Sequence, residues 1–448
     1  MPEHDEEPAH DGGSSRQGRP ARGVGYEPSL AYARERDRHD PLRQFRRRFT
    51  LPRGRIYMDG NSLGAPPHEA VREVHRALRD WQRLGIDGWL SAAEPWFGWA
   101  EQIGRRQAPL VGAEPDEVVI TGGTTINLHQ LVATFYHPRA GRTKILTDAL
   151  NFPSDRYALE AQIALRCLDP REHLIAVASE DGHTIDEAAL ERAMTAGVAL
   201  VVLPSVLYRS GQLLDMPRLT RTAHERGIEI GFDLSHSAGC VPHALHTWDV
   251  DFAFWCNYKY LNAGPGSLAS LFVHRRHFGR RPALAGWWGS DKARQFDMDS
   301  EFTPAAGAGA WQIGTPGILS LAAASGALDV TLDAGIERIR DRSLALTGYL
   351  MFLADRQLTP YEFQIATPRE PECRGGHVAL THPAAVQICK ALKARGVVPD
   401  FRPPNVIRLA PVALYTTWEE IWRTVRHLRQ IVASGEHRQL DATPQVVA

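Results

Sequence analysis

From residue 56 onward, short apolar runs alternate with stretches of helical period. The runs fall at 117–121, 143–147, 174–178, 199–204, 229–232, 252–255 and 267–273. Seven brief, largely apolar runs separated by amphipathic stretches predict a buried, mostly parallel seven-stranded sheet covered by helices. Upstream, the pattern predicts helices over 67–82 and 96–110. A long helical pattern starts near Ile318. Strand-like pieces at 377–381 and 406–410 follow, with helices near 383–396 and 417–433, which predicts a smaller α+β C-terminal domain. The expected division is a large α/β domain over 46–317 and a small domain over 318–448. Residues 1–45 are poor in large apolar side chains and are expected to form a disordered tail.

Composition narrows the picture. The chain has 448 residues, 43% hydrophobic and 23% charged, enough for two domains. Its net charge of -1 gives no global drive toward nucleic acid or an anionic membrane. No apolar run approaches the ~18 residues of a membrane span. The start is acidic and polar, without a signal-peptide core. Five widely spaced cysteines with no CxxC pair argue against a disulfide framework or a cysteine-based metal site, and a reducing cytoplasm is the expected setting. The run Arg46-Arg47-Arg48 is expected to be a solvated helix face. Arginine supplies most of the positive charge, and only five lysines are present: Lys144, Lys259, Lys292, Lys390 and Lys393. Because arginine cannot deprotonate, amine chemistry has few candidates.

Open parallel sheets bind ligands at the carboxyl ends of their strands, and four such ends carry informative residues. Gly122-Gly123-Thr124-Thr125 has the form of a phosphate cradle opening a helix, although a Gly-rich turn alone is weak evidence. Asn151-Phe152-Pro153-Ser154-Asp155 offers an aromatic that can stack on a planar ring, or merely a helix start capped by Ser154 or Asp155. Asp233-Leu234-Ser235-His236 places a carboxylate that can hold a ring nitrogen protonated, with His236 beside it. The fourth end decides between these readings. Lys259 directly follows a buried aromatic strand, where an idle charge would be costly. Desolvation favours the neutral amine that forms a Schiff base. Phosphate donors, a stacking aromatic, a carboxylate and an amine together meet the needs of pyridoxal phosphate.

Several segments resemble those of kynureninases, which belong to the fold-type I pyridoxal-phosphate enzymes. They are Tyr57-Met58-Asp59-Gly60-Asn61-Ser62-Leu63-Gly64, the Phe-Pro-Ser-Asp segment, Asn257-Tyr258-Lys259-Tyr260-Leu261-Asn262 and Gly286-Trp287-Trp288-Gly289. Gly314-Thr315-Pro316, Arg374-Gly375-Gly376-His377 and Asp400-Phe401-Arg402-Pro403-Pro404, continuing to Arg408-Leu409-Ala410-Pro411, complete the set. The resemblance spans residues 56–425. It implies Lys259 as the cofactor lysine and base, Asp233 at the pyridine nitrogen, and Asp155 and His236 near a ring stacked on Phe152. Thr124, Thr125 and Tyr258 would hold the phosphate, joined by Trp287 and Thr315 from the second subunit of a homodimer. Arg408 would clamp the substrate α-carboxylate, with Ser62, Trp89 and Ser290 lining the substrate site. No metal is implied. The implied reaction is hydrolytic Cβ–Cγ cleavage of L-kynurenine or 3-hydroxykynurenine to an anthranilate and L-alanine.

Three positions depart from the family pattern. Ser290 stands where a histidine is usual, Leu207 where a polar residue is usual, and Ala413 where proline is usual. Ser290 and Leu207 keep open a related enzyme of the same fold acting on a modified kynurenine or another β-substituted alanine. A desulfurase-like activity would need a nucleophilic cysteine on a loop, for which Cys373 is the contender.

Overall fold

The computed structural model describes residues 25–444. Seven strands form the main sheet: β1 (Val118–Thr121), β2 (Lys144–Asp148), β3 (Leu174–Val177), β4 (Val198–Pro204), β5 (Glu229–Asp233), β6 (Phe252–Cys256) and β7 (Ala269–Val273). Their spatial order is β1-β7-β6-β5-β4-β2-β3. The strands β2 to β6 pair in parallel, whereas β7 runs antiparallel to both β1 and β6. Every residue of β6 and β7 is buried. Burial on both faces is why these strands read as unbroken apolar runs rather than alternating ones. Each of the seven expected runs becomes a strand, displaced at its ends by a residue or two. The helix expected over 96–110 is shorter, with an α-helical part of Trp99–Gln107 flanked by tight 3-10 turns. Pro109 lacks the N–H an α-helix would need, and left-handed Gly112 closes the second turn.

A second, antiparallel sheet comprises β8 (Gln364–Ile365), β9 (Val378–Thr381), β10 (Asp400–Arg402) and β11 (Val406–Leu409), in the order β10-β11-β9-β8. The helices Ala385–Ala394, Ile336–Leu358 and Trp418–Ser434 share its apolar core. A capping box between Thr417 and Glu420 opens the last of these helices. Upstream of the main sheet, the short strand Ile56–Tyr57 pairs in parallel with Val397–Val398 and so joins the second sheet's side. Among the described residues, no single helix is long and apolar enough to cross a membrane.

The expected disordered tail is corrected over residues 25–45; residues 1–24 lie outside the described residues. The helix Leu30–His39 starts at Ser29, whose side chain accepts from the Tyr32 N–H. The rings of Tyr26 and Tyr32 each lie 5.7 Å from that of Tyr349. Asp40 forms a buried ion pair with Arg342 at 2.6 Å. A few apolar residues, Ala33, Leu42 and Phe45 among them, bury well enough to offset a polar composition. The basic run is corrected as well. Arg46 binds Glu420 at 2.7 Å and Arg48 binds Glu69 at 2.8 Å, so only Arg47 is exposed.

At the end of the sheet opposite Lys259, Asp251 ties several elements together. Its carboxylate accepts from His224 at 2.9 Å, His277 at 2.7 Å, Arg276 at 2.6 Å and the Ile230 N–H at 2.8 Å. These partners hold its pKa well below the ordinary carboxylate range despite burial. Replacing it with alanine strands several buried donors. Asp251→Ala should therefore cost ~3–5 kcal/mol of unfolding free energy, read from the denaturant midpoint.

Candidate active site

The strand ends converge as the sequence requires. After β1, Gly122 takes a left-handed φ of +53°, and a Cβ there would come within 2.6 Å of the Asn127 side-chain oxygen. Asn127 in turn donates to the Thr121 carbonyl at 2.9 Å, which locks the turn. The helix Thr124–Phe135 starts there, so its unpaired N–H groups open into the cleft. After β2, Asn151 accepts from the Phe152 N–H at 2.7 Å and donates to Thr147 at 2.9 Å. Phe152 then precedes the helix Pro153–Ala164. Neither Ser154 nor Asp155 caps that helix. The Ser154 hydroxyl meets Thr125 at 2.7 Å, and Asp155 is buried in the first turn.

Two carboxyl groups meet beneath the cleft. Asp233, at the end of β5, accepts from the Ser235 N–H at 2.7 Å and is hydrogen-bonded to Asp155. Burial pushes both pKa values up, and mutual repulsion raises that of Asp155 further. The charge of Lys259 lowers both, and the Ser235 hydrogen bonds lower Asp233 further, so Asp155 is the more strongly raised of the pair. Asp148 lies beside them, its pKa raised to about 7 by burial.

Lys259 Nζ lies 3.0 Å from His236 Nε2. Burial, then the charge of Lys259, push the His236 pKa far below its usual value, so the neutral ring accepts from the amine. Burial also raises the Tyr258 pKa, keeping its hydroxyl a donor. Lys259, Tyr258, His236, Asp233, Asp155, Phe152, Thr124 and Thr125 all line one cleft.

Arg408 sits behind this cleft on β11, and only 1% of it is exposed. It donates to the Tyr208 carbonyl at 2.6 Å and the Ser62 hydroxyl at 3.1 Å, and pairs with Asp400. Trp89, Trp287 and Thr315 do not join the cleft of their own chain. They line a separate aromatic hollow, together with Phe97, Trp288 and Lys292. Ser290 borders another hollow alongside Trp287. Lys292 is another amine, its own pKa lowered to about 8 by burial, but it lies 4.1 Å from the centre of the Trp288 ring, away from the strand ends. Leu207 is part of the main core rather than the cleft wall. Ala413 is likewise buried, its carbonyl accepting from Arg342. Cys373 is half-buried with its thiol pKa raised by burial, and it does not line the cleft.

Sequence reasoning missed Ser235, Asp59, Asp400 and His377 as site residues. Ser235 lines the cleft, and its hydroxyl accepts from the Cys256 N–H at 3.2 Å. His377 is fully buried, its pKa lowered to about 3 by burial, and its ring centre lies 5.8 Å from that of His236. A carboxylate two residues before an arginine, as in Asp400-Phe401-Arg402, was the available signal for Asp400.

The residues present fit pyridoxal phosphate. A Cβ at Gly123 would meet nothing within 4 Å, which leaves room at the helix start. Asp155 Oδ2 and His236 Nδ1 are buried without partners among the described residues. An anion cradle, paired carboxyls and an amine at strand ends define a fold-type I pyridoxal-phosphate enzyme. Solved structures with this fold include a cysteine desulfurase from Thermococcus onnurineus NA1, with TM-score 0.74 and 18% identity over 87% of this chain and 98% of that one. A C-DES mutant with glycine covalently linked to its PLP cofactor is similar, with TM-score 0.75 and 18% identity over 86% and 98%. Residues 339–428 match the kynureninase C-terminal domain. Kynureninase of Geobacillus thermodenitrificans is 54% identical over 94% of this chain and 99% of its own length. That of Shouchella clausii is 52% identical over 93% and 97%. The chain belongs to the kynureninase family.

The raised pKa of Asp148 has a direction that can be measured. A carboxyl whose pKa is raised on folding stabilises the fold fully below its unfolded value, and that contribution is lost as pH rises toward 7. Asp148→Asn keeps an acceptor for the Leu150 N–H without the charge. The variant should exceed wild type by roughly 2–4 kcal/mol near pH 8, with the gap closing below about pH 4, in unfolding titrations across pH.

Proposed function

We propose that this protein hydrolyses the Cβ–Cγ bond of L-kynurenine or 3-hydroxykynurenine, releasing L-alanine and the corresponding anthranilate. The observation that carries the reading is the Lys259 amine 3.0 Å from a neutral His236 and above the Asp155–Asp233 pair. Bound pyridoxal phosphate supplies an electron sink for the negative charge left when a bond to the substrate Cα breaks. Thr124, Thr125 and Tyr258 would hold its phosphate, Phe152 would stack on its ring, and Asp233 would pair with its nitrogen. Lys259 Nζ takes and returns the Cα proton, and neutral His236 accepts from that amine without competing for the proton. Arg408 fixes the α-carboxylate with a fork that a lysine lacks, assisted by Ser62. Trp89 and Ser290, which lie outside the Lys259 cleft of their own chain, reach the aromatic end of the substrate only from a second copy.

The alternative of a modified substrate is not favoured. Relatives at 52–54% identity over nearly the whole chain bear the name kynureninase. Leu207 lies in the core, which removes one of the two reasons for that alternative. Cys373 lies outside the cleft's lining, which disfavours a desulfurase reading. The five free cysteines fit a reducing cytoplasm.

The working unit is a homodimer with shared sites. Ile86, Leu90 and Phe296 are exposed by 77%, 75% and 69% around the aromatic hollow, a large apolar surface for a lone chain. A second copy covers this face and presents its Trp287 and Thr315 to the Lys259 cleft.

Wild-type protein should show the near-visible absorption of bound pyridoxal phosphate and form alanine from kynurenine. Lys259→Ala should lose both, and bound cofactor without alanine formation would sink the substrate assignment alone. Trp287→Ala should weaken cofactor binding. Co-refolding it with Lys259→Ala should restore roughly a quarter of wild-type activity, because half the dimers then carry one intact site. Strictly additive activities would rule out sharing.

A further inference from the structure

A buried arginine that must recognise a carboxylate faces two physical problems. Its charge needs compensation, and its fork must point at the ligand rather than into the protein. Both problems are addressed on β10 and β11. Asp400 and Arg408 are direct partners across this antiparallel pair, so their side chains leave the same face of the sheet. On the other side of β11, the residue opposite Arg408 is Ala379, whose methyl leaves the guanidinium room. Asp400 is fully buried. Its Oδ2 engages Arg408 at Nε and Nη2, the inner edge of the guanidinium. The same oxygen takes Arg402 Nε at 3.1 Å, so two guanidinium groups share this one carboxylate.

The outer edge of Arg408 is held differently. Nη2 donates to Ser62 at 3.1 Å, and the Ser62 hydroxyl is in turn hydrogen-bonded to buried Asp59. Nη1 donates to the Tyr208 main-chain carbonyl at 2.6 Å. A main-chain oxygen is a neutral acceptor, and an incoming carboxylate is a stronger one. The side-chain acids thus sit behind the arginine, and its cleft-side partner is the one a substrate can displace.

We propose that Asp400, with Ser62 backed by Asp59, is the positioning set that aims Arg408 at the substrate α-carboxylate, whose oxygen replaces the Tyr208 carbonyl on Nη1. This rests on the reading that Arg408 binds that carboxylate. Asp400 touches neither substrate nor cofactor and acts only through the arginine. Removing its charge frees the inner edge of the guanidinium to swing away, which weakens substrate binding and leaves the Lys259 chemistry in place.

The test uses the holoenzyme and three variants. Asp400→Asn should raise KM for L-kynurenine about tenfold while kcat stays within about threefold, with cofactor absorption and melting temperature unchanged. Inhibition by the amine that lacks the α-carboxylate should be the same for wild type and variant. An unchanged KM, or an equal loss of affinity for the amine, overturns the proposal. Arg408→Ala separates the two layers. If its KM is normal, the carboxylate reading itself fails; if its KM rises while that of Asp400→Asn does not, only the positioning claim fails. Should Asp400→Asn not fold, Ser62→Ala decides. A KM raised about threefold at constant kcat supports the proposal, and an unchanged KM overturns it.

Discussion

Lys259 follows a strand of the main sheet and Arg408 lies on the second sheet, and the proposed chemistry requires both to reach one small molecule. The segment 58–64 carries that constraint. On one side, Met58 donates its N–H to Val398 and accepts from Ala410, hydrogen bonds of 3.0 and 2.8 Å toward the second sheet. On the other, the Gly64 N–H donates to the Tyr258 carbonyl at 2.7 Å, next to the amine-bearing residue. The fit is close enough that a Cβ on Gly64 would come within 2.3 Å of the Lys259 carbonyl oxygen. One stretch of backbone therefore sets the spacing between amine and arginine, and Ser62 within it touches Arg408 directly. The helix Leu30–His39 and the Arg46–Glu420 pair fasten the preceding residues to the helix Trp418–Ser434, which shares the second sheet's core.

The site carries a cost that the rest of the fold must offset. Asp148, Asp155, Asp233 and His236 are all buried, and each has a pKa displaced in the direction that burial dictates. The raised carboxyl values oppose stability near neutral pH and the lowered imidazole value opposes it in acid, yet together they leave carboxyls that hold protons above the ordinary range beside a neutral imidazole. Asp251, at the opposite end of the sheet, shows the contrasting solution, with a buried carboxylate kept charged by four donors. A fully partnered group is inert, whereas the unpartnered oxygen of Asp155 and nitrogen of His236 are free to meet a cofactor.

Much of this was legible from residue pattern alone. Apolar runs located all seven strands of the main sheet, because strands buried on both faces leave no polar alternation to blur them. Strand ends located Thr124, Phe152, Asp155, Asp233, His236 and Lys259, because parallel sheets gather those ends on one edge. The helix Leu30–His39 was not legible. Its polar sequence is stabilised by a distant surface, Tyr349 and the start of the last helix, that no local pattern reveals. The same holds for Arg46 and Arg48, whose partners lie hundreds of positions away or in another element.

The sequence by itself determined the class of sheet, the cofactor-type cluster and the family, since these depend on local period, on residue chemistry at strand ends and on motif order. Only the tertiary structure decided which residues share a cleft. It joined Arg408 to Ser62 and Asp400 behind the Lys259 cleft, sent Leu207 into the core, and left Trp89, Trp287, Ser290 and Thr315 outside that cleft in the single chain. The physical reason is range. Hydrophobic period and turn chemistry act over a few residues, whereas the meeting of two sheets across one seam depends on packing among residues far apart in the chain.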